Sequence, residues 1–242
     1  MYSKKKLIFN GFQAEELGFC VVEGSPEILA NELYEVVNIE GRNGSLIINK
    51  GTYPDIEKTF TITALDFEDE NNIEEMMKNI KKWFFNVSDN RLYYAFDNKY
   101  NVVKKVIFDE DISTSFENFG EFKITFLCEP FYYKEEPLLT YTMGNTYEYV
   151  NDGDFESYPN IKFYGMGAMK IIINDEEITI KSVSEMAELD SKLLVCVDSE
   201  GNSKNKSLVG DYPVFKIGEN KIVIPPGQGI EKVEIIPRTI LR

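Results

Sequence analysis

Acidic side chains supply the first chemistry to weigh. Asp66, Glu68, Asp69 and Glu70 crowd one stretch, Asp109 and Asp111 a second, and Asp152 and Asp154 a third. Two carboxylates facing each other across a cleft, roughly 5–10 Å apart, could cleave a glycosidic bond between them. With 41 acids on a chain of 242 residues, such pairs arise by chance, and solvated turn acids are the reading the spacing favours. The chain has no histidine, which removes Ser-His-Asp and Cys-His nucleophilic catalysis and the zinc sites built on imidazole. Cys20, Cys128 and Cys196 sit far apart in apolar surroundings (LGFCVV, TFLCEP and LLVCVD). They read as buried free thiols, because three cysteines without a CxxC spacing make neither a disulfide framework nor a metal site.

The glycine-rich and acidic loops fail the same inspection. NDGDFES, residues 151–157, lacks the register and terminal glutamate of a calcium loop and reads as a turn. GMGAMK, residues 165–170, has no third glycine, and a strand pattern follows where a dinucleotide site needs a helix. PPGQG, residues 225–229, spends its first two positions on prolines, which offer no N–H to a phosphate. No catalytic residue, cofactor or metal is therefore expected, and the residues point to binding or assembly.

Most of the chain alternates apolar and polar residues with a period of two, as strands do. KTFTITALDF places Phe60, Ile62 and Ala64 on one face and Thr59, Thr61 and Thr63 on the other. Ile171 to Ile173 and Ile178 to Ile180 read as a hairpin across Asn174, Asp175, Glu176 and Glu177. One segment differs. DENNIEEMMKNIKKWFFN puts Ile73, Met76, Met77, Ile80 and Phe84 on a single stripe, predicting an amphipathic helix of about four turns with that stripe in the core. Asn71 or Asn72 can cap it, and its acids precede its lysines as the macrodipole prefers. Proline, acids and glycine in KEEPLLTYTMGNT mark a boundary. The expected organisation is an N-terminal domain over residues 1–135, a linker at 136–145 and a C-terminal domain over 146–242.

Composition narrows the class further. With 43% hydrophobic and 13% aromatic residues the chain is globular. A formal net charge of −15 argues against specific nucleic-acid binding, which relies on clustered lysine and arginine. MYSKKKLIFNGF is followed by polar residues, so it does not read as a signal peptide. No apolar run approaches the roughly 18 residues of a membrane span.

NIEGRNGSLIINK, residues 38–50, admits three readings. It contains the protease-linker tetrapeptide Ile-Glu-Gly-Arg, but no flexible tag adjoins it. It could cradle an anion between Gly41 and Gly44, but no helix follows to supply free N–H groups. As a hairpin it works, with Asn43-Gly44 as a two-residue turn between residues 36–39 and 46–48.

These segments, in this order, resemble the distal tail (Dit) family of long-tailed bacteriophages. The resemblance rests on LIFNGFQAEELGFCVV followed by the GRNG hairpin, on IEEMMKNIKKWFF, and on FGEFKITFLCEPFYY with its Cys-x-Pro-x-aromatic ending. VNDGDFESYPNIKFYGMG, LLVCVDSEG and GDYPVFKIGENKI continue it through the second half. It implies a mainly β protein: an N-terminal α+β ring-forming domain, a β-sandwich or barrel-like sheet with one amphipathic helix, then a C-terminal galectin-like or carbohydrate-binding-module-like β-sandwich. It implies a structural, non-enzymatic protein of a phage or phage-tail-like particle, assembled in the host bacterial cytoplasm and carried in the virion tail. The expected partners are other copies of itself in a hexameric ring, the tail tube protein, the tail-associated hub protein, and receptor-binding or baseplate proteins. DNA would pass through the channel without specific binding, and no membrane is entered. Gly41, Arg42, Asn43 and Gly44 become the candidate ring-interface hairpin, with Arg42 equally readable as a plain exposed turn residue. The competing class is a carbohydrate-binding module for host cell-wall glycans, resting on Tyr158, Phe163 and Tyr164 as exposed aromatics.

Overall fold

A computed structural model describes residues 6–65, 71–96, 98–108 and 120–242, and the chain divides into two units, Met1–Tyr132 with Arg242, and Tyr133–Leu241. The first unit holds β1 (Leu7–Phe9), β2 (Phe12–Gln13), β3 (Phe19–Gly24), β4 (Tyr34–Val37), β5 (Leu46–Asn49), β6 (Ile56–Ala64), α1 (Asn71–Phe84), β7 (Arg91–Tyr94), β8 (Lys99–Phe108) and β9 (Glu121–Lys134), whose last residues run into the second unit. The main sheet orders its strands β2-β1-β7-β8-β9-β6-β3, and β4 pairs with β5 alone.

Alternation in β6 works as two-residue periodicity demands: Phe60 and Ile62 are fully buried, and Thr59 Oγ1 lies 2.9 Å from Thr125 Oγ1 of β9 on the other face. In α1, Met76, Ile80 and Phe84 are buried and Met77 is half-buried against the same core. The side chain of Ile73 lies outside the described residues. Trp83 joins this face, three residues after Ile80, and is fully buried. It stacks on Phe84 at 4.4 Å and on Phe19 at 5.9 Å between ring centroids. A buried indole still needs an acceptor for its N–H, and Trp83 Nε1 donates to Phe9 O at 3.0 Å.

The next residue completes the junction. Asn10 has φ 53°, a left-handed conformation that asparagine tolerates better than most residues. Its Nδ2 donates to Trp83 O (3.2 Å) and Asn86 O (3.1 Å), satisfying carbonyls that the end of α1 leaves without helical partners. Its Oδ1 accepts from Ser88 N (2.8 Å) and Asp89 N (3.1 Å). One buried amide thus ties β1 to the end of α1 and to the chain leading into β7.

Lys58 lies on the buried face of β6 with 3% of its surface exposed. Its Nζ donates to Tyr132 Oη at 2.7 Å and sits 4.3 Å from that ring's centroid. Burial drives its pKa from 10.5 down to about 8, with Cys128 and Glu27 opposing the shift.

The second unit is a two-sheet antiparallel sandwich. Its strands are β10 (Leu139–Tyr141), β11 (Thr146–Asn151), β12 (Asn160–Gly165), β13 (Gly167–Ile173), β14 (Glu176–Val183), β15 (Met186–Asp190), β16 (Val195–Asp198), β17 (Leu208–Val209), β18 (Gly218–Val223) and β19 (Ile230–Ile236), and a short β20 (Ile240–Leu241) follows outside these two sheets. One sheet runs β10-β19-β12-β15-β16 and the other β11-β18-β13-β14-β17. Phe163, Leu189, Val233 and Ile235 from the first meet Ile171, Ile178, Ile180 and Ile222 from the second in one buried cluster, the interleaving expected of a sandwich. Residues 136–145, expected to be a linker, contain β10, which pairs with β19 from Leu139↔Ile235 to Tyr141↔Val233. Proline and acids at 135–137 marked a boundary, but Leu139 and Tyr141 pack on the second core.

The hairpin of β13 and β14 is tighter than its sequence suggested. Ile173 pairs with Glu176, so the connection is Asn174-Asp175 alone, at φ 51° and 71°, a positive-φ pair as a type I′ turn requires. The expected four-residue loop included Glu176 and Glu177, which instead extend the strand because both can face solvent.

Two stability outcomes follow from these contacts. Replacing Asn10 with alanine should lower unfolding free energy by roughly 2–4 kcal/mol, since it leaves several buried backbone groups unsatisfied; a urea midpoint shift equivalent to less than about 1 kcal/mol would contradict the role given to this amide. For Lys58, the unfolded chain holds a proton between pH 8 and 10.5 that the folded chain has released, so this group raises stability with pH across that window. Cys128, pushed by burial to about 12, acts in the opposite sense above its ordinary value of 9.0 and is common to both proteins compared. The stability of Lys58→Met relative to wild type should therefore fall by up to roughly 3 kcal/mol from pH 8 to 10.5. A difference that stays level across the window would show that Lys58 is not held deprotonated.

Candidate assembly surface

The ribbon of β4 and β5 carries its apolar residues outward. Val36 pairs with Ile47, Glu35 with Ile48 and Val37 with Leu46, and directly opposed residues share a face while successive ones alternate. One face therefore presents Tyr34, Val36 and Ile47, and the other Val37, Leu46 and Ile48. Tyr34 is 60% exposed, Val36 52%, Ile47 61% and Ile48 46%. Neither face meets a core, and neither outer edge is paired to another described strand. A two-stranded ribbon is marginal in water by itself. Here its base is held by Leu33 N to Thr52 O and Lys50 N to Leu33 O, both 2.8 Å, by Gly51 N to Glu32 Oε1 at 2.8 Å, and by an exposed ion pair of Lys50 with Glu35.

The loop joining the strands differs from the expected two-residue turn. Val37 pairs with Leu46, so residues 38–45 all belong to the loop. Gly41 and Gly44 hold φ 80° and 83°, whereas Asn43 is not among the positive-φ residues. A type I′ turn needs both central residues there, so Asn43-Gly44 does not close the ribbon. Instead Arg42 N donates to Ile39 O at 3.1 Å. Gly41, Arg42, Asn43 and Gly44 are all exposed, and Arg42 makes no side-chain hydrogen bond or ion pair among the described residues. The missed signal was the Glu40-Gly41 pair upstream: a second glycine two residues before Asn43 lengthens the loop beyond a two-residue turn.

The other candidate groups resolve individually. Asp66, Glu68, Asp69, Glu70, Asp109 and Asp111 lie outside the described residues. Asp152 pairs with Lys134 at 2.6 Å. NDGDFES is organised by Asn151, which is buried, donates to Phe155 O and Phe215 O and accepts from Gly153 N. Gly165 of GMGAMK and Gly229 of PPGQG serve close backbone approach: a Cβ on Gly165 would fall 1.9 Å from Gly229 O, and one on Gly229 1.7 Å from Met166 O. Cys128 and Cys196 are buried free thiols and Cys20 is half-buried. Burial pushes Cys128 to about 12 and Cys196 to about 11, which leaves both protonated and unreactive at neutral pH.

The expected aromatic platform of the second unit does not form. Phe163 is 1% exposed and belongs to the sandwich core. Its two-residue offset from Ile161 puts it inside, while Tyr164 beside it faces outward and donates to Glu234 Oε2 at 2.8 Å. Tyr158, 41% exposed, precedes β12 and stands apart from both.

No sequence-family profile and no curated protein matches the chain. Its fold is nevertheless that of the phage distal tail proteins. The crystal structure of Dit from phage SPP1, described as a paradigm of the hub adsorption apparatus in phages infecting Gram-positive bacteria, superposes with a TM-score of 0.64 over 96% of this chain and 97% of that one, at 12% identity. A chain of the phage p2 baseplate, in its activated conformation with strontium, matches with a TM-score of 0.55 over 96% of both chains, at 10% identity. Coverage of this extent takes in both units and their order.

A ribbon with no third strand should open readily in the isolated subunit. Amide exchange in β4 and β5 is expected to be at least about 100-fold faster than in β6 and β9, which lie inside the main sheet. Equal protection, measured by mass spectrometry on dilute protein, would show that the ribbon is covered within its own chain.

Proposed function

We propose that this chain is a structural subunit of the tail tip of a phage or phage-tail-like particle. In this reading the first unit closes with copies of itself into a ring, six in number by the resemblance, that joins the tail tube to the tail-associated hub and carries host-adhesion proteins. The observation that supports it is the two-sided apolar ribbon, taken with the full-length likeness to baseplate proteins. Exposed apolar residues on both faces of a ribbon, with both edges open, fit a strand pair that is to be covered by neighbouring subunits. A closed ring repeats one heterologous interface, so each subunit needs two complementary surfaces, and a ribbon reaching from one subunit to the next supplies one of them. The exposed Arg42 at its tip is the polar contact to test within that interface.

The fold's neighbours are baseplate and adsorption proteins, which supports a structural role. A charge of −15 per subunit, repeated around a ring, disfavours retention of DNA passing through it.

The reading is checked by mass measurement across a concentration series. Wild-type protein should shift from monomer toward a closed ring as concentration rises, and Ile47→Asp, exposed in the subunit, should remain monomeric with an unchanged melting temperature. Arg42→Ala should weaken the ring by about tenfold or less, as a rim charge does. A fixed dimer at all concentrations, or a ring indifferent to Ile47→Asp, overturns the proposal.

A further inference from the structure

Asn-Gly occurs twice in the chain, at Asn10-Gly11 and Asn43-Gly44, and the two pairs stand in opposite surroundings. In such a pair the glycine nitrogen can attack the side-chain carbonyl of the asparagine, because the attacking residue carries no Cβ to block the approach. Asn10 is 5% exposed. Both ends of its amide are engaged, Nδ2 with Trp83 O and Asn86 O, and Oδ1 with Ser88 N and Asp89 N. That side chain neither turns nor loses its nitrogen without breaking the junction.

Asn43 and Gly44 are exposed in the loop of residues 38–45. Neither the Asn43 amide nor the Gly44 N–H makes a hydrogen bond among the described residues. A Cβ built on Gly44 would meet nothing within 4 Å, so no part of the protein stands over the attacking nitrogen. Two other pairs in the chain could cyclise in the same way, and each is restrained. Asp152-Gly153 has its glycine N–H engaged, donating to Asn151 Oδ1 at 3.1 Å. Asn202-Ser203 places a Cβ on the attacking residue, and Asn202 Nδ2 is held by Asp198 at 3.3 Å and Glu200 at 3.1 Å.

We propose that Asn43 is a site of spontaneous deamidation through a cyclic imide, with water as the only co-reactant. The Gly44 nitrogen gives its proton to hydroxide and forms a bond to Asn43 Cγ. The Cγ–Nδ2 bond breaks, and the leaving nitrogen takes a proton from water and departs as ammonia. Water then adds to one of the two imide carbonyls. Opening at Cγ leaves aspartate, and opening at the α-carbonyl leaves isoaspartate, in which the main chain runs through the former side chain. Either product sets a carboxylate beside Arg42, and isoaspartate adds a methylene to the loop backbone. A subunit standing free thus acquires acid at the tip of the β4–β5 ribbon, while Asn10 keeps its amide. The inference does not rest on ring formation, because the reaction belongs to one loop and is followed on dilute protein.

The test holds full-length protein in mildly alkaline buffer, folded and in urea, and follows its tryptic peptides by mass spectrometry over time. In the folded chain the peptide of residues 43–50 should gain the mass of an amide exchanged for an acid at least about tenfold faster than Asn10 does, since Asn10 reacts only from states in which its junction has opened. In urea, where neither pair is held, the two rates should agree within about threefold. Aspartate and isoaspartate should both appear and separate by chromatography, whereas direct hydrolysis of the amide gives aspartate alone. Gly44→Ala should slow the reaction at Asn43 by at least about tenfold, because a methyl group then shields the attacking nitrogen. Equal rates at Asn10 and Asn43 in the folded chain, no mass gain at Asn43, aspartate as the sole product, or an unchanged rate in Gly44→Ala overturns the inference.

Discussion

Burying an indole in a β-rich core imposes a demand that the rest of the first unit is arranged to meet. Trp83 is completely enclosed, so its N–H has to find an acceptor, and the carbonyl of Phe9 provides it. That contact places β1 against the end of α1. Asn10 then has to turn the chain with a positive φ while its amide serves the carbonyls of α1 and the N–H groups of Ser88 and Asp89. The aromatic cluster of Phe9, Phe19, Phe84 and Phe126 fills in around the tryptophan. A helix packed on one face of a sheet needs some fixed angle and depth, and here a short polar junction sets both.

The same unit leaves other apolar surface uncovered, and the contrast is informative. Phe60 and Ile62 of β6 are buried because the sheet has a helix to pack on, whereas Val36, Ile47 and Ile48 of the β4–β5 ribbon have none. Apolar residues on both faces of an unsupported ribbon do not stabilise a lone subunit. They become favourable once a partner removes them from water, which is why the ribbon carries the argument for assembly.

The second unit keeps apolar packing and polar pairing apart. Its two sheets close over one apolar cluster, and Gly165 of GMGAMK with Gly229 of PPGQG serves backbone packing. Its polar irregularities gather elsewhere, around Asp190, Leu194 and Arg238, where a two-pronged ion pair of Arg238 with Asp190 stands among left-handed residues. Burial would raise the carboxyl pKa of Asp190, but hydrogen bonds from Arg238 and Leu193 outweigh it and hold the group below its ordinary value. It therefore stays charged and keeps Arg238 oriented.

How much of this was written in the residues depends on the range of the interaction. Local periodicity was enough to show the strand character of β6, the helical stripe of Met76, Met77, Ile80 and Phe84, and the mainly β class, because each follows from which face of an element avoids water. Trp83 could have been added from its spacing to Ile80, but nothing local revealed that Phe9 O would accept its proton. Turns were legible only in part. Asn-Gly looked like a two-residue turn at 43–44 but is part of a longer loop, while Asn174-Asp175 makes the tight turn, because register is set by pairing along the whole ribbon. Phe163 looked exposed until the second sheet was set against it. Asp190 and Arg238 are separated by 48 positions in the chain, and no spacing rule joins them. The sequence by itself determined which residues seek burial and with what period, since that depends on each side chain and its near neighbours. Only the tertiary structure decided which apolar residues were left without cover and which distant polar groups converge, since both depend on contacts between segments that the chain brings together only on folding.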